Sequence, residues 1–256
     1  MKYVLPFLCL CCLFLNVNAQ GDISDEKKAL IRNEHTFDFL LNSNGWGFGY
    51  SYGKMKNIHR KTMYTIEWVS IKDQKEKKFT SHPDYRRFVF GKQNDFLNFR
   101  FGYGNLITLY DKKDKGGIEI RWFYQLGPVL GFLKPVYYYT VNTTLPGTDP
   151  IRIENFESLV RKGSNILGGA SYFKGFDELS VLPGLYAKIG GSFEFSKSDL
   201  IVNALECGIT FDCYPKKVEI MANNQNKFYF LSIFISYRFG RIYNPHAKKE
   251  TGIKNK

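Results

Sequence analysis

Beyond its first residues the chain has no apolar run of the roughly 18 to 20 positions that a helix needs to cross a bilayer. Helical membrane spans are therefore excluded. Cysteine is scarce: there are five in 256 residues, and Cys9, Cys11 and Cys12 sit in the apolar N-terminal stretch. Cys207 and Cys213 fall in one expected strand, about 20 Å apart along it, too far to bridge. With no disulfide framework and no metal-like Cys/His spacing, backbone pairing and packing must hold the fold. Four histidines leave little for His-based chemistry, and no internal repeat is present.

Aromatics and glycine are plentiful, and they alternate. Gly45 to Gly53 reads Gly-Trp-Gly-Phe-Gly-Tyr-Ser-Tyr-Gly, so Trp46, Phe48, Tyr50 and Tyr52 share one face of an extended strand and small residues share the other. The pattern recurs with Phe99, Phe101 and Tyr103, and again with Tyr229, Leu231, Ile233, Ile235, Tyr237 and Phe239. A wall with its bulky side to lipid and its small or polar side to a crowded lumen produces this order.

Lys2, the apolar run Tyr3 to Leu15 and the end at Ala19 have the form of a cleaved secretory signal, residues 1–19. A periplasmic segment 20–33, a barrel over 34–240 and a polar tail 241–256 are expected to follow. The net charge is +12. Its excess collects in turns, at Lys72, Lys75, Lys77 and Lys78 and at Lys112, Lys113 and Lys115, while the aromatics alternate as a wall. That separation disfavours a nucleic-acid groove and suits loops beside anionic lipopolysaccharide.

An all-β, antiparallel up-and-down transmembrane barrel of ten strands is expected, at about 34–42, 45–56, 61–72, 85–91, 95–110, 117–126, 129–141, 181–195, 199–214 and 227–240. Eight and twelve strands are the alternatives. Short inner turns are then 57–60, 92–94, 127–128 and 196–198, and outer connections are 43–44, 73–84, 111–116, 142–180 and 215–226. An even count puts both termini in the periplasm. Within 142–180, Ile153, Phe156, Leu159 and Val160 recur at helical spacing, which predicts a short amphipathic helix rather than a strand pair, acting as a lid over the mouth or as a partner surface.

Strand parity turns Glu34, Asp38, Glu67, Arg87, Arg100, Glu119, Arg121, Lys134, Lys188, Glu194, Glu206, Asp212 and Arg238 inward. Near-balanced signs point to mutual neutralisation in a filled lumen, not to the single-sign rings of an ion pore. An inner turn at 196–198 opposes Phe195 to Asp199 and Lys188 to Glu206, predicting a lumen charge pair. A rim hydrolase would draw on Asp84, Asp212 and His82, but no local motif joins them.

The leader ending Asn-Ala-Gln, the Gly/aromatic strand at 45–53, Gly-Phe-Leu-Lys-Pro at 131–135 and the closing Ile-Ser-Tyr-Arg-Phe-Gly at 235–240 resemble small outer-membrane β-barrel proteins of Bacteroidota. The resemblance implies an architecture over roughly residues 30–240 and no particular activity. The expected function is a non-enzymatic outer-membrane barrel, a structural component or a surface or assembly partner. A narrow passive channel is the alternative, and a rim-located hydrolase comes third. Expected partners are outer-membrane lipid, lipopolysaccharide and an envelope protein met through the outer connections; no cofactor is expected.

Overall fold

The structure is a computed structural model that describes residues 32–81, 83–112, 117–141, 151–198, 200–222 and 226–243. The expected leader, most of the tail, His82 and Asp199 lie outside the described residues. Eight antiparallel strands close a barrel: β1 (Asn33–Asn42), β2 (Gly45–Asn57), β3 (Arg60–Ile71), β6 (Asn94–Tyr110), β7 (Glu119–Pro135), β11 (Ser180–Glu194), β12 (Ile201–Cys213) and β13 (Tyr229–Tyr243). Neighbours in sequence are neighbours in the wall, and β1 pairs with β13 to remove the last edge.

The expected count of ten is corrected in two places. Residues 85–91 contribute only β5 (Phe88–Val89), which pairs with β4 (Lys78–Phe79) apart from the wall. Residues 117–126 and 129–141 are not a hairpin: β7 runs straight through Gly127-Pro128 to Pro135, and β8 (Tyr137–Val141) leaves the wall. Gly-Pro normally punctuates a turn, but here Gly127 answers a different need. A Cβ on it would lie 1.8 Å from the Phe101 carbonyl oxygen of β6. Pro128 has no N–H to donate, and the β6–β7 pairing is interrupted between Arg100↔Val129 and Tyr103↔Leu126.

Removing those two elements reverses β6 and moves 111–116 to the opposite end from the one expected. The barrel now has a short-turn end, with 58–59, 111–118 and 195–200, and a long-loop end, with 43–44, 72–93, 136–179 and 214–228. The described chain both enters and leaves the wall at the short-turn end. Continuity of β7 also fixes its phase. Odd positions from Arg121 to Leu133 face inward, so Lys134 faces outward, and Arg87 lies exposed in a loop.

The usual arrangement of polar outside and apolar inside is inverted. Arg100 is 0% exposed inside the barrel, whereas Ile233 on the outer wall is 66% exposed. On β7 every outward residue from Ile120 to Phe132 is apolar or aromatic. At the short-turn end the outer wall carries a cross-strand aromatic row, His35↔Tyr52, Tyr52↔Tyr64 and Tyr64↔Tyr103. Six residues further along β2, Trp46 stands near the other edge of the apolar band, roughly 20 Å away at a strand's rise per residue.

Beyond the wall, β8, β9 (Arg152–Asn155) and β10 (Asn165–Gly169) form a three-stranded sheet at the long-loop end. The expected helix is present as α1 (Phe156–Lys162). The Asn155 side chain accepts from Ser158 N at its start, and left-handed Gly163 ends it. It does not replace a strand pair, as expected, but sits between β9 and β10.

Candidate functional site

The lumen holds an ion-pair network at mid-height. Arg100 on β6 donates through Nε to Asp212 Oδ1 (2.9 Å) and through Nη2 to Oδ2, and its Nη1 lies 3.3 Å from Glu67 Oε2. Lys188 Nζ reaches the other Glu67 oxygen at 2.6 Å. Glu67 is on β3, Asp212 on β12 and Lys188 on β11, so these contacts tie the wall across its interior. Tyr186 donates to Gln125, and Gln125 donates to Thr65 (2.8 and 3.0 Å), extending the same layer. Bidentate Arg–carboxylate geometry with shared oxygens lets such charges remain in a confined interior.

A second cluster lies toward the short-turn end. Arg121 pairs with Glu194 (2.7 Å), lies 4.0 Å from half-buried Glu119 and donates to Ser192. Lys112 caps this cluster through Glu194 and Ser196, and Lys61 pairs with Glu34. Arg238 pairs with Glu206 at 3.2 Å. Asp38 differs from them, because both its carboxylate oxygens are buried and have no hydrogen-bond partner among the described residues.

The expected Lys188–Glu206 pair is not formed. Lys188 opposes Thr210, and Glu206 opposes Ser192. The cause is the turn, which spans 195–200 and not three residues, with Phe195 N bonded to Asn203 O. The register moves by an even number of residues, so both side chains still face the lumen while their partners change. Lys61 and Lys112 were absent from the expected inward set. Lys61 shares the parity of Glu67 on β3, a signal that was available. Lys112 became a lumen group only when its turn moved to the short-turn end.

Among the described residues the mouth at the long-loop end is filled by an apolar cluster, and not by the expected lid. Tyr214, Val218, Ile220 and Met221, from the connection between β12 and β13, pack inside against Val69, Ile71, Phe96, Val129 and Tyr186. Backbone bonds fasten this plug to the start of β6: Gln93 N to Ile220 O (2.9 Å) and Ala222 N to Gly91 O (2.7 Å). The helical stripe divides instead. Phe156 and Leu159 bury against Tyr138, whereas Ile153 lies exposed on β9 and Val160 is 61% exposed.

Tyr138 fastens this outer sheet to the barrel by donating to Val89 O and Lys92 O (2.9 and 2.6 Å). Gly169 N donates to Arg86 O (3.0 Å). The Glu154 carboxylate accepts from Lys162 (2.7 Å), which chiefly holds it below the usual glutamate range. Burial works against the Lys92 ammonium, but Asp95 and Glu76 outweigh it and raise its pKa. The Tyr137 hydroxyl, bonded to Glu178, is pushed up to about 12.

The hydrolase residues do not converge. Asp212 lies deep in the lumen on Arg100 instead of at the rim, and His82 is outside the described residues. His35 stacks on Tyr243 on the outer wall, while His59 faces Asp111 in solvent. Among the described residues no group of three or more His, Cys, Asp or Glu is placed to hold a metal ion.

No protein-family model matches the chain, and no curated protein matches it. Among solved structures it is similar to Ail, the attachment invasion locus protein of Yersinia pestis, with 10% identity, 83% of this chain and 96% of that one covered and a TM-score of 0.39. It is also similar to Neisserial surface protein A, with 12% identity, 84% and 98% covered and a TM-score of 0.39. The N-terminal β-barrel domain of Pseudomonas aeruginosa OprF gives 5% identity, 83% and 97% covered and a TM-score of 0.35.

Proposed function

We propose that the chain is a non-enzymatic outer-membrane β-barrel with a sealed lumen. It serves as a structural component or as a surface or assembly partner through its long-loop end. The inverted burial carries this reading: charged and polar side chains fill the interior, while an aromatic and aliphatic band girds an outer wall that, among the described residues, no second layer covers. Lipid is the solvent that suits such a wall.

The short turns and both ends of the described chain then lie in the periplasm, and the long loops face outward. Those loops, 72–93, 151–179 and 214–228, carry fourteen Lys or Arg against eight Asp or Glu, a balance suited to a lipopolysaccharide leaflet. Against the passive channel stand two successive obstructions, the apolar plug and the Glu67–Arg100–Asp212–Lys188 layer.

Fractionation of the native envelope, with planar-bilayer recording of the purified protein, tests the reading. The protein is expected in the outer membrane, without stable conductance, and with an envelope component retained through the long loops. Recovery as a soluble periplasmic protein would remove the membrane reading, and steady ion-selective steps would put the channel first.

A further inference from the structure

Resting on the membrane-barrel reading, we infer that the segment Tyr172 to Phe176 is a lipid-binding tip that docks on the outer leaflet beside the wall. Three rings cluster there, with centroids 5.9 to 6.4 Å apart for Tyr172, Phe173 and Phe176. Phe173 is 80% exposed. A mobile loop could fold such a ring away, but this segment is fixed. Gly175 has φ +91°, and a Cβ on it would meet Pro135 O at 2.5 Å. Lys134 Nζ donates to Tyr172 O at 2.8 Å, and Tyr137 donates to Glu178 just beyond the tip.

The position of Lys134 identifies the occupant. It faces outward on β7 as the first charge above the apolar stretch that ends at Phe132, and it pairs with Asp95 at 3.1 Å. That pair marks the upper border of the lipid-facing band. The tip covers it: Lys134 Nζ sits 4.0 Å from the centroid of Tyr172 and 5.3 Å from that of Phe176. The rings thus stand outside the wall at the level where aromatic side chains favour the headgroup boundary. Val181, the cross-strand partner of Phe132, continues the apolar surface below. Lys174 lies 5.6 Å from the Tyr137 ring centroid and adds a cation at phosphate level. Lys134 is buried beneath the rings and Lys174 is offset by exposed Asp177 and Glu178, so it is the continuity of the patch with the lipid-facing wall, and not its charge, that fits a leaflet better than a protein docking from above.

The test uses the full chain in phosphatidylcholine/phosphatidylglycerol vesicles, with its five native cysteines replaced by Ala and a nitroxide on F173C. Controls carry the label at L185C on the outer wall and K216C on a long loop. At Phe173 the ratio of oxygen to nickel-chelate collisions should match the Leu185 label and exceed the Lys216 label several-fold. F176C should behave alike, which guards against local disturbance by one label. An aqueous ratio at both tip sites with a lipid-like ratio at Leu185 overturns the tip alone, including the case where a protein later shields it. An aqueous ratio at Leu185 too overturns the membrane reading on which it rests.

Discussion

Lys188 and Glu67, three strands apart around the wall, close a 2.6 Å ion pair through the lumen. Glu67 also accepts from Arg100, so its carboxylate joins β3 to both β11 and β6. Replacing Lys188 by Met leaves a buried carboxylate with one partner, and breaking a buried pair from one side costs about 3–5 kcal/mol. E67Q/K188M should recover part of that loss in urea unfolding from vesicles. A coupling energy below about 0.5 kcal/mol would mean that the two side chains do not act on each other.

The faces of the strands were legible in the sequence; their partners were not. Alternation placed Glu67, Arg100, Arg121, Asp212 and Arg238 inside because parity survives errors of strand end. The Lys188–Glu206 expectation failed because register depends on turn length, and the true partner comes from a distant strand. Gly127-Pro128 looked like a turn because steric room and a missing donor serve equally at a constriction between strands. The plug left a weak trace, Val218-Glu219-Ile220-Met221 within a connection, which amphipathic spacing elsewhere overshadowed.

Gly127 supplies a direct test of the continuous β7. G127A would drive a methyl group into the Phe101 carbonyl, where the nearest atoms, Phe101 O and C and Gly102 Cα, are all backbone of β6 and not the end of a flexible side chain. Loss of folded barrel, read as loss of heat-modifiable migration after insertion into vesicles, is expected. If 127–128 were an exposed turn, the same change would cost only a few tenths of a kcal/mol in most backbone geometries, within the ordinary range for surface substitutions.

The plug and the ion-pair layer obstruct the lumen in series. I220A should destabilise the protein by about 2–5 kcal/mol, as expected for truncating a buried aliphatic side chain. It should not open the barrel. Replacing 216–222 by a Gly/Ser turn should likewise give no steady conductance in planar bilayers, because the Glu67–Arg100–Asp212–Lys188 layer remains. Stable steps from the plug deletion alone would show that the charged layer is permeable.

Acid should loosen the outer sheet before the barrel. Glu154 has a carboxyl pKa lowered in the folded state, chiefly by the hydrogen bond from Lys162. Its stabilisation is therefore fully present above the unfolded value of about 4.3 and is lost as pH falls through the lower folded value. Hydrogen exchange in residues 151–169 should accelerate over that interval while β12 and β13 stay protected. E154Q should be fast already at neutral pH, and an acid response unchanged by E154Q would assign the transition to another group.

The orientation of the barrel turns on the segment that changed ends. With ten strands, 111–116 would face outward; with eight, it shares an end with 58–59 and 195–200. Single cysteines at positions 74, 153 and 216, in a C207A/C213A background, should react with an impermeant maleimide on intact cells. Cysteines at positions 58 and 111 should react only after the outer membrane is breached. Position 111 decides between the two topologies because 58 and 74 keep their ends in both. Labelling at 111 together with 74 would restore the extra strand between β3 and β6, whereas labelling confined to 58 and 111 would turn the whole barrel over and leave the fold intact.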